Sequence, residues 1–246
     1  MNMEQQQPRT QDEHAASVSR LFSGIVKWYD FLNRLLSLGL DQGWRRCLAD
    51  SVFPGLRGAA VGKTVLDLAA GTLDVSLALC RRYPGVRVLA MDFCPPMLVR
   101  GQGKLGGDDK GAILSTAADA RGLPLADSSV DGITMAFGIR NIAPRSAAFA
   151  EMMRVLTPGG RACILEFGTG RNRIWLGVYN FYLRRVLPVI GRLSGDPAAY
   201  SYLARTIMEF PSADALSEEM HAAGFARVYH IPLCSGIVCV HVAEKA

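Results

Sequence analysis

The side chains best suited to chemistry lie where the first two predicted strands end. The first strand leads through Asp67 to Gly71, and a helix begins soon afterwards. A parallel sheet leaves a crevice beyond the carboxyl ends of its strands, and a glycine there lets the backbone approach a ligand closely. Asp92 ends the second strand about twenty residues later, where a carboxylate can accept hydrogen bonds from both hydroxyls of a ribose. This spacing predicts a nucleoside site.

The next two predicted strands end in residues that would complete such a site. Asp119 follows the third strand, where its carboxylate could accept a hydrogen bond from an adenine amino group. The small side chain of Ala120 would leave room for the ring. Ala136 and Phe137 end the fourth strand and would line the other side of the ligand. Four strand ends are therefore expected to converge on one ligand.

The turn after the first strand distinguishes two kinds of adenosine ligand. A pyrophosphate requires a glycine-rich turn at a helix start, such as GxGxxG, but this turn contains Gly71 alone. Asp74 lies in the first turn of the following helix, where it would repel phosphate yet tolerate a cationic amino acid moiety. The turn therefore favours S-adenosylmethionine, and a nicotinamide oxidoreductase is the disfavoured alternative.

Short β-rich runs alternate with helical patterns from Lys63 onward, which predicts a parallel sheet. The first five strands are expected at residues 64–69, 86–92, 112–117, 130–137 and 160–167. The helices between them are expected at 75–82, 95–103 and 145–155, with Thr157 to Gly160 as a stop signal after the last. Three helices follow, at 174–191, 200–209 and 213–223. Two final strands, at 227–232 and 237–243, should form an antiparallel hairpin.

Length and composition narrow the class of protein. The chain has 246 residues, half of them apolar and 20% charged, which suits one large α/β domain. The net charge of +5 suits an anionic membrane surface but forms no dense basic stripe, so no nucleic acid partner is expected. The six cysteines show no metal-binding spacing, so neither a metal site nor a disulfide is predicted.

Targeting signals are not apparent in the sequence. Residues 1–19 lack the apolar core of a signal peptide, and the longest apolar stretches are too short to span a membrane. We therefore expect a cytoplasmic protein in which any membrane contact is peripheral. Amphipathic helices at 18–26, 29–37 and 42–51 precede the sheet and could cover a binding site.

Three segments are more distinctive than the turn: YDFLN at 29–33, AFGIRN at 136–141 and YSYL at 200–203. Together with VLDLAAGTLD at 65–74 and MDF at 91–93, they resemble the ubiquinone/menaquinone biosynthesis C-methyltransferases, a family of class I S-adenosylmethionine-dependent methyltransferases. The likeness extends from Trp28 to Val242. It implies a Rossmann-like fold with a mostly parallel seven-stranded sheet, a C-terminal antiparallel hairpin and helices on both faces.

The resemblance also implies the reaction, which is methyl transfer from S-adenosylmethionine to a ring carbon of a polyprenylated demethylquinol, a menaquinone or ubiquinone precursor. The cofactor contacts that it implies are Thr72, Asp92, Asp119 and Ala120, with Phe93 beside them. The residues expected to meet the acceptor or to close over it are Tyr29, Asp30, Asn33, Asn141 and Tyr202. The helical cap is assigned to residues 1–60, not as an independent domain, and the methyltransferase domain to residues 61–246.

Arg140 is the candidate for a positive charge that stabilises a phenolate on the acceptor, directly or through water. Losing the hydroxyl proton makes the neighbouring ring carbon nucleophilic, so a base is also required. His241, Tyr200 and Tyr202 are the candidates, and the sequence does not choose among them.

Purely structural roles are the alternatives for several of these residues. Asp67 is expected either to contact the amino acid moiety of the cofactor or only to fix its turn by hydrogen bonding, and Asp92 could merely end a strand. Arg140 could only pair with Glu166 at the sheet edge. His241 could be an ordinary strand histidine.

Leu73 departs from the family pattern, which usually has a third glycine in the turn. A branched side chain adopts a positive φ at a cost, so the turn or the methionine pocket is expected to differ and cofactor binding to weaken. This departure leaves a non-catalytic prenylquinone binder open as an alternative. A methyltransferase on the same fold that acts on another lipid or small phenolic acceptor is a separate alternative.

The aromatic and basic residues between Arg171 and Arg185 could pack in the core or dip into a lipid interface to collect a prenylated acceptor. A peripheral contact at the inner face of the membrane and assembly as a homodimer are both compatible with the expected reaction.

Overall fold

The structure, a computed structural model, describes residues 39–56, 58–168 and 197–246. It also describes isolated positions, which are Val18, Arg20, Ser23, Gly24, Val26, Asp30, Asn33, Arg34, Ser37 and Gly177. Side chains are described for all of these except residues 197–201 and 203. The helices predicted at 18–26, 29–37 and 174–191 therefore lie outside the described residues, apart from single positions.

Within the described residues, seven strands form one sheet. Their bounds are β1 Thr64–Leu68, β2 Arg87–Asp92, β3 Ile113–Ala117, β4 Val130–Ala136, β5 Leu156–Phe167, β6 Arg227–Leu233 and β7 Val238–Glu244. The strand order is β3-β2-β1-β4-β5-β7-β6. Strands β1 to β5 are parallel, and β7 is antiparallel to both β5 and β6. The predicted mostly parallel sheet with a C-terminal hairpin is confirmed.

Helices cover both faces of the sheet. Their bounds are α1 Asp41–Val52, α2 Asp74–Arg82, α3 Pro95–Gln102, α4 Asp109–Ala112, α5 Arg145–Val155, α6 Pro197–Met208 and α7 Ala213–Ala222. Successive strand residues point to opposite faces, so Val65 packs with Leu48 and Leu79 while Leu66 packs with Phe149 and Leu216. Both faces of β1 are thereby buried, as expected for a central parallel strand.

Strand β5 begins earlier than the sequence predicts. Residues 157–160, expected only as a stop signal, belong to this strand, although α5 does end at Val155. Gly159 has a φ of +74°, and its amide donates to Lys245 O at 3.0 Å. The Lys245 amide donates in turn to Gly160 O, also at 3.0 Å. These two hydrogen bonds extend the β5–β7 ladder through residues whose types favour a turn.

Candidate active site

The carboxyl ends of β1 and β4 have backbone conformations that side-chain-bearing residues rarely adopt. Ala69, Leu73 and Phe137 have φ values of +55°, +65° and +56°. The two strand ends also approach each other closely, since a Cβ added to Gly138 would lie 2.5 Å from Ala69 Cβ. Such conformations cost about 1–3 kcal/mol each and cluster where function requires them. The carboxyl edge of the sheet is therefore the candidate active site.

Leu73 keeps the left-handed conformation that a glycine would adopt more easily. Leu73 therefore adopts the positive φ that is costly for a branched side chain, while the expected difference in the turn or the methionine pocket and the weaker cofactor binding stay predictions. The side chain is fully buried and lies against Gly101 of α3, where an added Cβ would be 2.5 Å from Leu73 Cγ. The missing side chain of Gly101 makes room for Leu73, so burial offsets the conformational cost.

Asp92 joins two segments of the site through its carboxylate. The Gly71 amide donates to Oδ2 and the Cys94 amide donates to Oδ1, each at 2.7 Å. Desolvation raises the pKa of Asp92, although these amides oppose the shift. The residue is still partly exposed, so the remaining lone pairs can accept from a ribose. Phe93 follows it with 45% of its surface exposed, an unusual placement for an aromatic side chain.

Asp67 satisfies its carboxylate inside the protein. Its oxygens accept from Ser76 Oγ at 2.6 Å and from Thr134 Oγ1 at 2.9 Å. Burial raises the pKa of Asp67 to about 6, and the hydrogen bonds oppose that shift. With only 1% of its surface exposed, the residue links β1 to α2 and β4. These contacts favour the structural interpretation of Asp67.

Thr72 contacts the N-terminal segment instead of presenting a free hydroxyl. Its Oγ1 donates to Asp30 and accepts from Lys104 Nζ at 3.0 Å. Lys104 Nζ also lies 2.7 Å from Asp30 Oδ2 and 2.8 Å from Asp74 Oδ1. The structure thus brings Asp30 to the turn between β1 and α2. The sequence predicts that the N-terminal segment containing Asp30 covers the binding site.

Asp119 is bound by a neighbour that the sequence did not indicate. Arg121 donates to it from its backbone amide at 2.8 Å and from Nη2 at 2.7 Å, and this contact lowers the pKa of Asp119. An adenine amino group would have to share the carboxylate with Arg121. Ala120 is buried beside Leu123, so the wall at this point is apolar.

Arg140 and Glu166 form a buried ion pair at the ends of β4 and β5. Arg140 Nη1 donates to Glu166 Oε1 at 2.8 Å, and their side chains are 6% and 0% exposed. Arg140 Nε and Glu166 Oε2 have no hydrogen-bond partner among the described residues. Burial raises the pKa of Glu166, and Arg140 opposes the shift. The predicted Glu166 contact therefore exists, and it leaves one donor and one acceptor unused.

Aromatic rings surround this ion pair. The Arg140 guanidinium carbon lies 5.7 Å from the centre of the Phe137 ring and 5.4 Å from that of Phe167. The centres of the Phe137 and Phe167 rings are 4.8 Å apart. The Phe137 ring also meets the Trp44 ring of α1 edge to face, with 6.3 Å between the ring centres. A cation in an apolar, aromatic recess is suited to an aromatic acceptor that becomes anionic.

Tyr202 completes this part of the edge from α6. Its hydroxyl donates to Asn141 Oδ1 at 3.0 Å, and burial raises its pKa. The structure therefore brings Arg140, Asn141 and Tyr202 together. Ala136 is partly buried and packs with the apolar cluster that contains Phe137. Tyr29 and the Tyr200 side chain lie outside the described residues, and Asn33 has one described contact, its carbonyl accepting from Ser37 N at 3.0 Å.

His241 lies away from this edge. It pairs with Ile164 in the middle of β5, and its Nδ1 is 3.3 Å from Ser217 Oγ of α7. Burial and the nearby His230 lower the pKa of His241 to about 3, so it is neutral at physiological pH. The structure does not bring this candidate base together with the others.

Three contributors to the site were missed by the sequence interpretation: Lys104, Arg121 and the unused oxygen of Glu166. Arg121 lies two residues from Asp119, so this spacing was a readable signal. Lys104 lies far from Thr72 and Asp30 in sequence, and nothing local indicates the contact.

Among the described residues, no helix is long and apolar enough to cross a membrane. The same residues contain no group of three His, Cys, Asp or Glu side chains arranged to hold a metal ion.

Comparison with known proteins gives matches over nearly the whole chain. A model of the ubiE/COQ5 methyltransferase family matches residues 9–245. The chain is 41% identical over 235 residues to the ubiquinone/menaquinone biosynthesis C-methyltransferase UbiE of Geobacter sulfurreducens, with 95% of this chain and 90% of that protein covered. It is 42% identical over 227 residues to the demethylmenaquinone methyltransferase of Thermus thermophilus, with 92% and 100% covered.

A solved structure gives the fold independently. A SAM-dependent methyltransferase from Aquifex aeolicus superposes with a TM-score of 0.55 at 19% identity, over 76% of this chain and 84% of that one. At this level of identity the two proteins share an architecture.

Proposed function

Because the chain belongs to the ubiE/COQ5 methyltransferase family, we propose that it transfers a methyl group from S-adenosylmethionine to a ring carbon of a polyprenylated demethylquinol. The product would be menaquinol or the equivalent ubiquinone precursor, since the two relatives carry names of both kinds. One structural observation carries the proposal. A buried cation in an aromatic recess lies at the same sheet edge as the strained turns and the partly exposed Asp92.

The turn after β1 fits S-adenosylmethionine better than a dinucleotide. Asp74 lies in the first turn of α2 with its carboxylate bound to Lys104, so the helix start carries an acid where a pyrophosphate would need free amides. Asp92 retains lone pairs for a ribose, and the exposed Phe93 ring offers a surface against adenine. Bound S-adenosylmethionine supplies an electrophilic methyl group on a cationic sulfur.

Arg140 lowers the cost of forming a phenolate on the acceptor. A phenol has an ordinary pKa of about 10, and a positive charge within a few ångströms lowers that pKa, by less where a carboxylate such as Glu166 already shares the charge. The charge is preorganised because Glu166 and the flanking rings hold the guanidinium before the acceptor arrives. Water can then remove the hydroxyl proton, and neither His241 nor a tyrosinate is needed.

Asn141 and Tyr202 would position the acceptor ring next to Arg140. Their mutual hydrogen bond fixes the amide, and the raised pKa of Tyr202 keeps its hydroxyl protonated as a donor. Residues 1–60 would cover the site, since Asp30 contacts Lys104 and Ser23 Oγ lies 3.4 Å from Cys94 Sγ at the start of α3. A prenylated acceptor resides in a bilayer, so we also propose peripheral contact with the inner face of the membrane, by a protein that assembles as a homodimer.

Quinones extracted from cells that lack the protein test this function. Mass spectrometry should detect the demethyl quinone in place of the methylated one, and the wild-type gene should restore the methyl group. Asp92→Ala should restore little of it, because the variant loses both the ribose acceptor and the anchor of Gly71. Normal quinones in the deletion strain, or full rescue by Asp92→Ala, would contradict the proposal.

A further inference from the structure

A cleft rich in basic side chains runs between helices α1 and α2, on the face of the sheet that these helices cover. Its volume is about 510 Å³. Six cationic residues line it: Arg34, Arg45, Arg46, Arg81, Arg82 and Lys104. Asp74 is the acidic residue among the lining side chains. We refer to this feature as the basic cleft.

Internal ion pairs do not use all of this positive charge. Arg45 contacts Asp41 and, at 3.5 Å, Asp74, while Arg82 contacts Asp50. Arg34, Arg46 and Arg81 are exposed and have no ion-pair partner among the described residues. The basic cleft therefore keeps a surplus of cations, and three of them are available to an anionic ligand.

The floor of the basic cleft is apolar. It is formed by Ala49 of α1 and by Leu77 and Ala78 of α2, whose short or buried side chains leave space between the two helices. Leu40, immediately before α1, has 51% of its surface exposed. Cationic walls over an apolar floor suit a ligand that has a phosphate group and an apolar part.

The basic cleft also adjoins the candidate active site. The Arg45–Asp74 contact joins the starts of α1 and α2, and the Arg82–Asp50 contact joins their ends. At the upper end, Lys104 lines the cleft and also donates to Thr72 in the cofactor turn. A ligand at the Lys104 end of the basic cleft would therefore lie close to the carboxyl edge of the sheet.

We propose that the basic cleft binds the phosphate groups of anionic phospholipids and so holds the face of the sheet that α1 and α2 cover against the membrane, with the Lys104 end of the cleft next to the carboxyl edge. The choice of a lipid surface rests on the proposed function, in which the acceptor is a membrane lipid. Each cation that reaches an anionic leaflet adds to the attraction, and the attraction weakens as salt screens it.

The test is co-sedimentation of the full-length protein with phosphatidylcholine vesicles, with and without phosphatidylglycerol. The informative variant is Arg46→Gln/Arg81→Gln. Its matched control is Arg87→Gln/Arg100→Gln, which removes the same charge from exposed positions outside the basic cleft. We expect the wild type and the control to bind the anionic vesicles and the cleft variant to bind at least about tenfold more weakly. Unfolding temperature and S-adenosylmethionine affinity should be equal in all three proteins.

Equal losses of vesicle binding in the cleft variant and the control variant would overturn the proposal. Equal binding of the wild type to neutral and anionic vesicles would also overturn it. A third contrary result would be a cleft variant that loses affinity for short duplex DNA as much as for vesicles. Methyl transfer to a short-chain, water-soluble demethylquinol without vesicles separates this proposal from the proposed function. The cleft variant should retain the wild-type rate in that assay. If the wild type itself shows no transfer, the proposed function fails while the vesicle comparison still judges the basic cleft.

Discussion

The Glu166 carboxylate is fully buried, and its partner Arg140 is nearly so. Removing one member of such a pair leaves an unpaired charge in the interior, which typically costs about 3–5 kcal/mol. The pair therefore joins a contribution to stability and the proposed catalytic role of Arg140 at one position. A loss of activity in a single variant would not distinguish the two contributions, so a second substitution is required.

Arg140→Ala should lower both the free energy of unfolding and kcat, whereas Arg140→Ala/Glu166→Gln should regain much of the stability because no buried charge is left unpaired. We expect kcat of the double variant to stay lower than that of the wild type by about 10²–10³, the usual effect of losing an oriented charge. S-adenosylmethionine affinity should change little in the double variant. Thermal unfolding, calorimetric titration and steady-state kinetics measure the three quantities. Recovery of kcat together with stability would mean that Arg140 is only structural.

His241 is expected to govern acid stability instead of turnover. Burial lowers the pKa of His241 from its ordinary value of 6.5 to about 3. At a pH between these two values, the histidine is protonated in the unfolded chain but neutral in the folded protein. Stability from this group is complete at neutral pH and is lost as pH falls from about 6.5 to about 3. His241→Leu should reduce this loss by up to about 5 kcal/mol and leave kcat near the wild-type value.

Urea unfolding at a series of pH values, paired with kcat at neutral pH, provides the measurement for His241→Leu. A large drop in kcat with an unchanged pH profile of stability would restore His241 as a candidate base.

The turn between β1 and α2 shows how an element accommodates an unfavourable residue. Leu73 adopts a φ of +65°, yet it is fully buried and is the residue that precedes the first turn of α2. Two opposing effects meet at this position, the cost of the left-handed backbone and the gain from burying the side chain. The relative size of these two effects decides whether the protein would be more stable with glycine at position 73.

Leu73→Gly should destabilise the protein by about 1–4 kcal/mol, because the loss of a buried leucine side chain exceeds the relief of the backbone. The space beside Gly101 would be left unfilled. Leu73→Gly/Gly101→Ala should not recover the loss, because a Cβ at residue 101 would still lie 2.8 Å from the Thr72 carbonyl carbon. Chemical denaturation of the three proteins gives the comparison. If Leu73→Gly is more stable than the wild type, the packing argument is wrong.

The sequence predicted the strands and helices well. Strands of a parallel sheet are apolar runs, and turn residues mark the boundaries between these runs. The early start of β5 was not predicted, since Pro158 and Gly159 favour a turn and only pairing with Lys245 makes them a strand. The positions of Asp92 and Arg140 were predicted because both follow strand ends. The exclusion of His241 depended on its depth in β7, which tertiary packing decides.

Asp30 of the N-terminal segment reaches the turn between β1 and α2 through contacts with Thr72 and Lys104. The sequence suggested a covering segment but could not indicate Lys104, which is distant in the chain from both partners. These contacts are part-buried, and Lys104 is shared with Asp74. Asp30 is therefore held by Thr72 and Lys104, and a substitution at Lys104 removes the ion pair between Asp30 and Lys104.

Lys104→Met should loosen the segment around Asp30 while leaving the sheet intact. Hydrogen exchange measured by mass spectrometry should be faster in peptides that cover residues 20–38, with no change in peptides from β1 and β4. Lys110→Met is the matched control, because Lys110 is exposed and lies in α4, away from this cluster. Unchanged exchange in the Lys104 variant would mean that the contact does not hold the N-terminal segment.

We propose that one edge of the sheet binds S-adenosylmethionine and directs its methyl group to carbon. The most direct measurement is incubation of the purified protein with a reduced demethylmenaquinone and S-adenosylmethionine that carries a trideuteriomethyl group. We predict a quinone product with the label on a ring carbon, formed in equal amount to S-adenosylhomocysteine, as read by mass spectrometry and NMR. A label on oxygen, or unmodified quinol in the presence of bound cofactor, would contradict methyl transfer to a ring carbon.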